Sequence, residues 1–463
     1  MTAPRGPNIV LILADDMGYG DFGRFNGGAS RTTALDQLCD DGLTLTQHYS
    51  ASPVCAPARA ALLTGRYPHR TGAIDTLEAR GLDRLALRER TLPETLAAAG
   101  YRTGLVGKWH NGAFDARYHP TARGFQEFTG FCGGWQDYWN WRLERGGAVC
   151  QADGRHLTDV ITTEAIDFVR RHRSEPFFLH VAYNAPHFPF QAPESLIQEF
   201  AVPGRSRAVA TIYAMIHQMD RGVAAIRDEL AHLGLADNTM VLFSSDNGPQ
   251  LGGEGAASTM RYNGGLAGAK ELVHEGGIRV PMIVSWPDAL PVGATSDAFV
   301  HFTDWLPTLT AVAGSKHPAD VALDGIDVSQ VLAGHEQESA PVRFWQWNRL
   351  HPLGHCNAAM RDGRWKLLRP ALAEAMSLPA AELLLDAEVK QDPSRAAGLS
   401  RVPVPGLPVD CPPMQSLLFD LTTDPGEQHD LAAEHPGRTA RMEAELAAWF
   451  EDVETDRRSI HDN

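Results

Sequence analysis

Along residues 8–16, NIVLILADD, an uninterrupted apolar run closes on two acids. Without alternation, and with β-branched residues in it, such a run predicts a strand buried on both faces of a largely parallel sheet. The same grammar recurs down the chain. TLPETLAAAG reads as a helix with Pro93 in its first turn and Gly100 as its stop, followed by the strand YRTGLVG and then KWH. HLTDVITTEAIDFVRRHR predicts a helix, and PFFLHVAYNAPH a strand running into a loop. TIYAMIHQMDRGVAAIRDELAHLG predicts a long helix stopped by Gly234, and NTMVLFSSDNG another buried strand with a polar end. Strands and helices alternating at these lengths predict an α/β architecture with helices on both faces of the sheet.

Near residue 335 the texture changes. Aromatic and basic segments (RFWQWNRL, RDGRWKLLRP) give way to a proline-rich stretch from about Pro370 to Pro413, then to LLFDLTTDPGEQHDLA and a terminal helix PGRTARMEAELAAWFEDVE. This predicts a large α/β domain over 1–335 and a smaller α+β domain over 336–463, built of antiparallel strands, one helix and a long irregular insertion. No repeats or low-complexity tracts interrupt either part.

The 463 residues, 43% hydrophobic and 21% charged, suffice for a sizeable interior. No segment approaches the roughly 20 apolar residues of a membrane helix. A net charge of −16 argues against nucleic acid or an anionic membrane as the main partner, and an anionic substrate needs a locally positive pocket. The start, MTAPRGPNIVLILADD, reaches its first strand without a basic, apolar and small-residue leader, so the expected location is cytoplasmic, or periplasmic or secreted where a leader has been trimmed. The six cysteines (Cys39, Cys55, Cys132, Cys150, Cys356, Cys411) are scattered without CxxC pairs, as expected for reduced thiols rather than a disulfide frame or zinc cage.

Ligands of open α/β sheets bind beyond the carboxyl ends of the strands. The first strand delivers Asp15 and Asp16 there, and the strand near residue 241 delivers Asp246 and Asn247. Each pair alone is as well explained by a cap or turn. Two pairs at equivalent strand ends, all oxygen donors, suit a hard cation such as Ca²⁺ or Mg²⁺. GKWH contributes Lys108 and His110, NAPH contributes His187, and GAKELVHEGGIRVP contributes Lys270. The chain holds five lysines among its 41 basic residues, and two fall in these segments. A compact ammonium suits a tetrahedral oxyanion where arginine's planar fork does not fit. The bland alternatives are a solvated lysine and hydrogen-bonded loop histidines; His217 and His232, in a helical pattern, belong to the latter kind.

SPVCAPARAALLTGR places Cys55 at a predicted helix entrance, with Pro57 in the first turn and Gly65 as the stop. Arg59, four residues on, shares its face. A thiolate nucleophile would be activated there. The phosphatase-type arrangement of a cysteine, five residues and an arginine fails, since the required position is Ala61. A thiolate is also a poor ligand for the hard cation that the aspartates imply.

Cys-x-Pro-x-Arg in CAPAR, followed by AALLTGR, resembles the signature of the formylglycine-dependent (type I) sulfatases of the alkaline phosphatase superfamily. The similarity extends in order through PNIVLILADDMGYGD, GKWH, AYNAPHFPFQAP, SSDNG, GGLAGAKELVHEGGIRVPMIV and LFDLTTDPGEQHDLA, nearly the whole chain. The resemblance implies an alkaline-phosphatase-like sandwich, with a large mostly parallel central sheet flanked by helices and a smaller C-terminal α+β domain with a short antiparallel sheet. It implies that a formylglycine-generating enzyme oxidises Cys55 to an aldehyde. The product would share one divalent cation, usually Ca²⁺ in relatives and otherwise Mg²⁺, with Asp15, Asp16, Asp246 and Asn247. One hydroxyl of the hydrated aldehyde, made more acidic by metal and Arg59, would attack the sulfur of a sulfate monoester and displace its alcohol. Proton loss from the second hydroxyl would then expel sulfate from the sulfated enzyme. Lys108 and Lys270 would hold the sulfate oxygens, His187 would protonate the leaving alcohol, and His110 would act on the diol. Position 58 is alanine where many members have serine.

The expected substrate is a sulfated carbohydrate or a small organic or aryl sulfate. Trp135, Tyr138, Trp139, Trp345, Trp347 and His351 are candidates for contacts at the pocket mouth, with Trp141 beside them. The alternative is that these aromatics pack the small domain against the large one. Two rival functions remain: a phosphodiesterase or phosphonate monoester hydrolase using the same site, and an idle metal- or glycan-binding relative.

Overall fold

The first strand, β1 (Asn8–Ala14), is buried along its whole length, and its side chains divide between two cores. Val10, Ile12 and Ala14 enter one apolar layer, while Ile9, Leu11 and Leu13 enter the other. Each face therefore has its own cover of helices, which is why the run shows no alternation. The computed structural model describes residues 6–317, 321–337, 339–396, 399 and 412–461.

The strands of the large sheet are β1, β2 (Leu43–Tyr49), β3 (Arg102–Lys108), β4 (Glu127–Phe131), β5 (Arg142–Arg145), β6 (Ala148–Gln151), β7 (Phe177–Ala182), β8 (Thr239–Ser245), β9 (Met282–Ser285) and β10 (Ala294–His301). Their order is β10-β2-β9-β8-β1-β7-β3-β4-β5-β6. The central run β8-β1-β7-β3-β4 is parallel throughout, whereas β9, β5 and β6 pair antiparallel. In the central run all chain directions agree, so Ala14, Ser245, Ala182 and Lys108 finish at one edge. Helices Leu157–His172 and Arg207–His232 cover one face; Cys55–Thr64, Leu92–Ala98 and Trp305–Val312 cover the other. The predicted stops hold locally: Gly65 (φ 69°), Gly100 (φ 89°) and Gly234 (φ 68°) take the left-handed conformation that ends a helix at little cost to glycine.

A second, antiparallel sheet runs β11 (Arg343–Gln346), β12 (Ala358–Asp362), β13 (Trp365–Arg369) and β14 (Leu417–Asp420). One face packs on the terminal helix Pro436–Arg458 through Met442, Leu446 and Val453. The other, through Trp345, Leu368 and Phe419, packs on Tyr49, Val273 and Ile278 of the large layer. The stretch expected to be an irregular insertion contains a helix, Ala380–Gln391, docked by the bidentate pair Arg80–Glu382 (2.7 and 2.9 Å). Its flanking prolines, which punctuate the chain on either side, hid it from the sequence reading. Cys411 and much of the proline-rich stretch lie outside the described residues; the other five cysteines are unbridged. Among the described residues no helix is long and apolar enough to cross a membrane.

Buried ion pairs tie the two sheets. Lys366 on β13, fully buried, reaches Glu275 (2.9 Å) and Glu427 (2.8 Å), and Tyr49 donates to Glu275 at 2.5 Å. Removing one partner leaves uncompensated charge in a dry seam. We expect Lys366→Ala to lower unfolding free energy by about 3–5 kcal/mol in denaturant titration; a change below about 1 kcal/mol would show that the seam is hydrated.

Candidate active site

At the carboxyl edge, the backbone turns sharply after β1. Asp16 adopts φ 66° and its N–H donates to Asp246 Oδ1 at 3.2 Å, so the ends of β1 and β8 are joined through the candidate ligands themselves. Such a conformation is costly for a non-glycine residue, and it persists only where surrounding contacts enforce it. Asn247 follows, donating Nδ2 to Asp16 Oδ1 at 2.7 Å. Cys55 is the first residue of its helix, where unpaired N–H groups point outward. Lys108 ends β3, and His110 two residues later is again left-handed at φ 54°. Lys270 comes from a glycine-rich segment whose backbone is pinned on both sides: its N–H donates to Pro249 O, and that of Glu271 to Pro53 O, each at 2.9 Å.

Three carboxylates and three cations meet here. Lys108 Nζ lies 2.6 Å from Asp15 Oδ2, and Lys270 Nζ lies 2.7 Å from Asp16 Oδ2. Arg59 gives Nε and Nη2 to Asp246 Oδ2 at 3.0 and 2.7 Å, with Asp15 Oδ1 3.8 Å away. Arg59 is thus committed to Asp246, rather than reserved for residue 55. His187 Nε2 stands 3.7 Å from Asp16 Oδ2. The predicted catalytic and metal set therefore converges, from four strand ends, one helix start and one loop.

The three cations equal the three carboxylates in number, yet the acids are not held alike. Burial, only partly offset by Lys108 and reinforced by Asp246, pushes Asp15 up to about 8. Asp16 goes the other way: burial works against its ionisation, but Lys270 and His187 hold it well below the ordinary carboxylate range. Two buried oxygens, Asp15 Oδ1 and Asn247 Oδ1, have no hydrogen-bond partner. Ligand atoms of Asp15, Asp246 and Cys55 lie within 4.8 Å of one another, as do those of Asp15, Asp16 and His187. Orphaned oxygens converging among buried acids fit one hard divalent cation. Burial also raises the Cys55 thiol, against the pull of Lys108 and Lys270. A thiolate nucleophile is therefore disfavoured; Sγ marks where an oxygen would sit after oxidation. His110 and His187 are both held neutral, first by burial and then by Lys108 and Lys270 respectively.

A cavity of about 420 Å³ opens from Cys55 past His110, His187 and Lys270. Its outer walls carry Glu78, Trp135, Phe188, Gln250, Glu271, Arg349, Asp386 and Lys390. A cavity of about 550 Å³ elsewhere adjoins Thr239, at the opposite end of β8, and touches none of these groups. Of the six residues proposed for the mouth, Trp135 lines the cavity, 44% exposed with its ring centroid 6.2 Å from Phe188. Tyr138 does not: it is fully buried, and its hydroxyl donates to the carbonyls of Asn184 (2.7 Å) and His187 (3.0 Å), fixing the loop that carries His187. Trp345 and Trp347 are buried in and beside the seam, as Trp141 is in the main core; the Trp345 indole donates to Ser50 O at 2.7 Å. Trp139 packs edge-on to His156 outside the cavity, and the exposed His351 also lies outside it. His217 bonds Arg31 O at 2.9 Å, the structural role expected for it.

Sequence reasoning missed Glu78, Glu271, Arg349, Asp386 and Lys390. The scarcity of lysine that singled out Lys108 and Lys270 would have flagged Lys390 as well. Asp386 carries no such signal, because only the docking of helix Ala380–Gln391 brings it to the cavity, while Glu78 arrives on the turn Glu78–Arg80 and Glu271 beside Lys270.

Residues 7–315 match the sulfatase family, and residues 268–395 match the C-terminal region of N-sulphoglucosamine sulphohydrolase. N-acetylgalactosamine-6-sulfatase of Mus musculus is 34% identical over 376 residues, covering 75% of this chain and 70% of that protein. Arylsulfatase G of Rattus norvegicus is 34% identical over 385 residues, covering 74% and 71%. The crystal structure of Ps i-CgsB in complex with k-i-k-neocarrahexaose superposes with a TM-score of 0.79 at 29% identity, covering 96% of this chain and 93% of that one. Phosphonate monoester hydrolase of Agrobacterium radiobacter shares the fold (TM-score 0.65, 20% identity, 96% of each chain).

The orphaned oxygens yield a direct test. Chelator-treated protein titrated with Ca²⁺ or Mg²⁺ should gain stability by binding, about 2.7 kcal/mol at a hundredfold excess over Kd. Asp15→Asn should lose most of that gain in differential scanning calorimetry. Equal midpoints with and without divalent cation would remove the metal site.

Proposed function

The chain belongs to the sulfatase family and hydrolyses sulfate esters, and from that premise we propose that it acts on a sulfated saccharide through a formylglycine derived from Cys55, with Ca²⁺ as the resident cation. One observation carries the reading: buried Asp15, Asp246 and residue 55 converge on a point lined by oxygens without partners. We assign Asp15, Asp16, Asp246 and Asn247 to the cation. An all-oxygen set of three carboxylates and an amide suits the geometrically tolerant Ca²⁺. Once bound, the cation supplies Lewis-acid polarisation and lowers the pKa of an oxygen nucleophile.

The chain's own groups do the rest. Lys108 and Lys270 each spend one proton on a carboxylate, at 2.6 and 2.7 Å, and keep two for sulfate oxygens. His187 Nδ1 faces Phe188 O at 2.6 Å, leaving Nε2 toward the cavity. That nitrogen is the donor to the leaving alcohol: burial first and Lys270 second hold the ring neutral, and the incoming ester's negative charge offsets the Lys270 field. His110 Nε2 approaches Thr76 O (3.4 Å) and Glu78 Oε1 (3.8 Å), while buried Nδ1 has no hydrogen-bond partner and is the site to accept a proton during release of sulfate. Arg59 orients Asp246, giving both Nε and Nη2 to its Oδ2. The region 336–463 is assigned as a smaller domain that completes the pocket, through Arg349 and the helix carrying Lys390.

Maturation and chemistry are tested together. The peptide carrying residue 55, isolated from the native host, should show the mass of the aldehyde, and Cys55→Ala should abolish aryl sulfate turnover by at least about a thousandfold. Lys270→Ala should lower kcat/KM about a hundredfold or more. An intact thiol in active protein from that host would overturn the assignment, as would a clear preference for a matched aryl phosphodiester.

A further inference from the structure

The cavity is asymmetric in charge. Its base gathers Lys270 and, behind it, Lys108, each bonded to one carboxylate with protons left over, whereas each cation of its rim is shared between two carboxylates. Arg349 gives Nη1 to Asp75 Oδ1 at 3.0 Å and Nη2 to Glu271 Oε1 at 2.6 Å. Lys390 is divided between Asp386 Oδ2 at 2.7 Å and Glu78 Oε1 at 3.4 Å. Among the described residues on the cavity wall outside its base, two cations thus face the three carboxylates of Glu78, Glu271 and Asp386, with Asp75 behind.

These partners are not readily exchanged. Asp75 is fully buried, and its other oxygen accepts from the N–H of Leu350 at 3.0 Å; drawing Arg349 toward a ligand would strand that carboxylate in a dry site. The side chain of Glu271 is 42% exposed against 16% for Arg349, so the open space meets the acid rather than the guanidinium. Trp135 and Phe188, 44% and 52% exposed, add apolar faces suited to the carbon face of a sugar. The net charge of −16 further opposes the approach of a polyanion.

We propose that this rim makes the enzyme selective for a sugar bearing one anionic group, the sulfate to be cleaved, on an otherwise neutral or amine-bearing ring. A second sulfate or a carboxylate beside the scissile group is rejected by Glu271 and Asp386. The proposal rests on the assignment of this cavity as the sulfate ester site. A like charge at the rim should cost about tenfold or more in affinity at low salt.

The test uses the full chain with Cys55→Ala, which lacks the nucleophile, loaded with Ca²⁺. Calorimetry compares N-acetylgalactosamine 6-sulfate with N-acetylgalactosamine 4,6-disulfate at about 0.05 M and about 0.5 M salt. The expected result is at least about tenfold tighter binding of the monosulfate at low salt, a smaller gap at high salt, and several-fold tighter binding of the disulfate by Glu271→Gln and Asp386→Asn. Disulfate binding as tight as or tighter than monosulfate binding, with Arg349→Ala removing it, would overturn the proposal and make Arg349 a second anion ligand. Hydrolysis is judged separately, by aryl sulfate turnover of the converted protein, so a failure of the selectivity is distinguishable from a failure of the hydrolytic assignment.

Discussion

Three buried carboxylates crowded at one sheet edge are the constraint on which the architecture turns. Asp15, Asp16 and Asp246 are at most 3% exposed, and like charges this close in a poorly solvated site repel strongly. Each is answered by a cation from a different element: Lys108 from the end of β3, Lys270 from the glycine-rich segment, Arg59 from the helix that Cys55 begins. None of these partners is near its acid in sequence, so the site forms only when the parallel strands are in register and the helix is seated. The two strained residues, Asp16 and His110, stand where that convergence is tightest.

The second sheet matters because it holds one of those cations in place. Glu275, five residues beyond Lys270, is clamped by Lys366, and its N–H donates to Glu427 at 2.7 Å. Asn357 donates to Glu271 O at 2.8 Å and accepts from the Val273 N–H at 3.1 Å. The segment bearing Lys270 is therefore fastened to both sheets, although it is neither helix nor strand. In the catalytic role proposed for it, Lys270 so held would need little reorganisation at the moment of reaction, which is where electrostatic catalysis gains most.

The legible part of this protein was the part governed by local pattern. The doubly buried β1 announced itself by an unbroken apolar run, and the helix from Cys55 by Pro57 and Gly65. The acids and Lys108 at the strand ends followed, because parallel topology forces those ends to one edge. The aromatic candidates failed for the opposite reason. Trp345, Trp347 and Tyr138 looked the same in sequence as Trp135, and only tertiary packing decides which of four rings is buried. Helix Ala380–Gln391 was obscured by prolines, and with it went Asp386 and Lys390, whose significance lies wholly in where that helix docks.

The helix that starts at Cys55 carries one more consequence. Cys55, Pro57 and Arg59 are all buried, and Arg59 is locked onto Asp246. Any enzyme that reads these three residues together must meet them on an extended chain, before β1 and β8 close over them. Under the proposed maturation, oxidation of residue 55 would be an event of biogenesis with a deadline: a molecule that folded first would keep its thiol. The proportion of competent enzyme would then be fixed by a race between modification and folding.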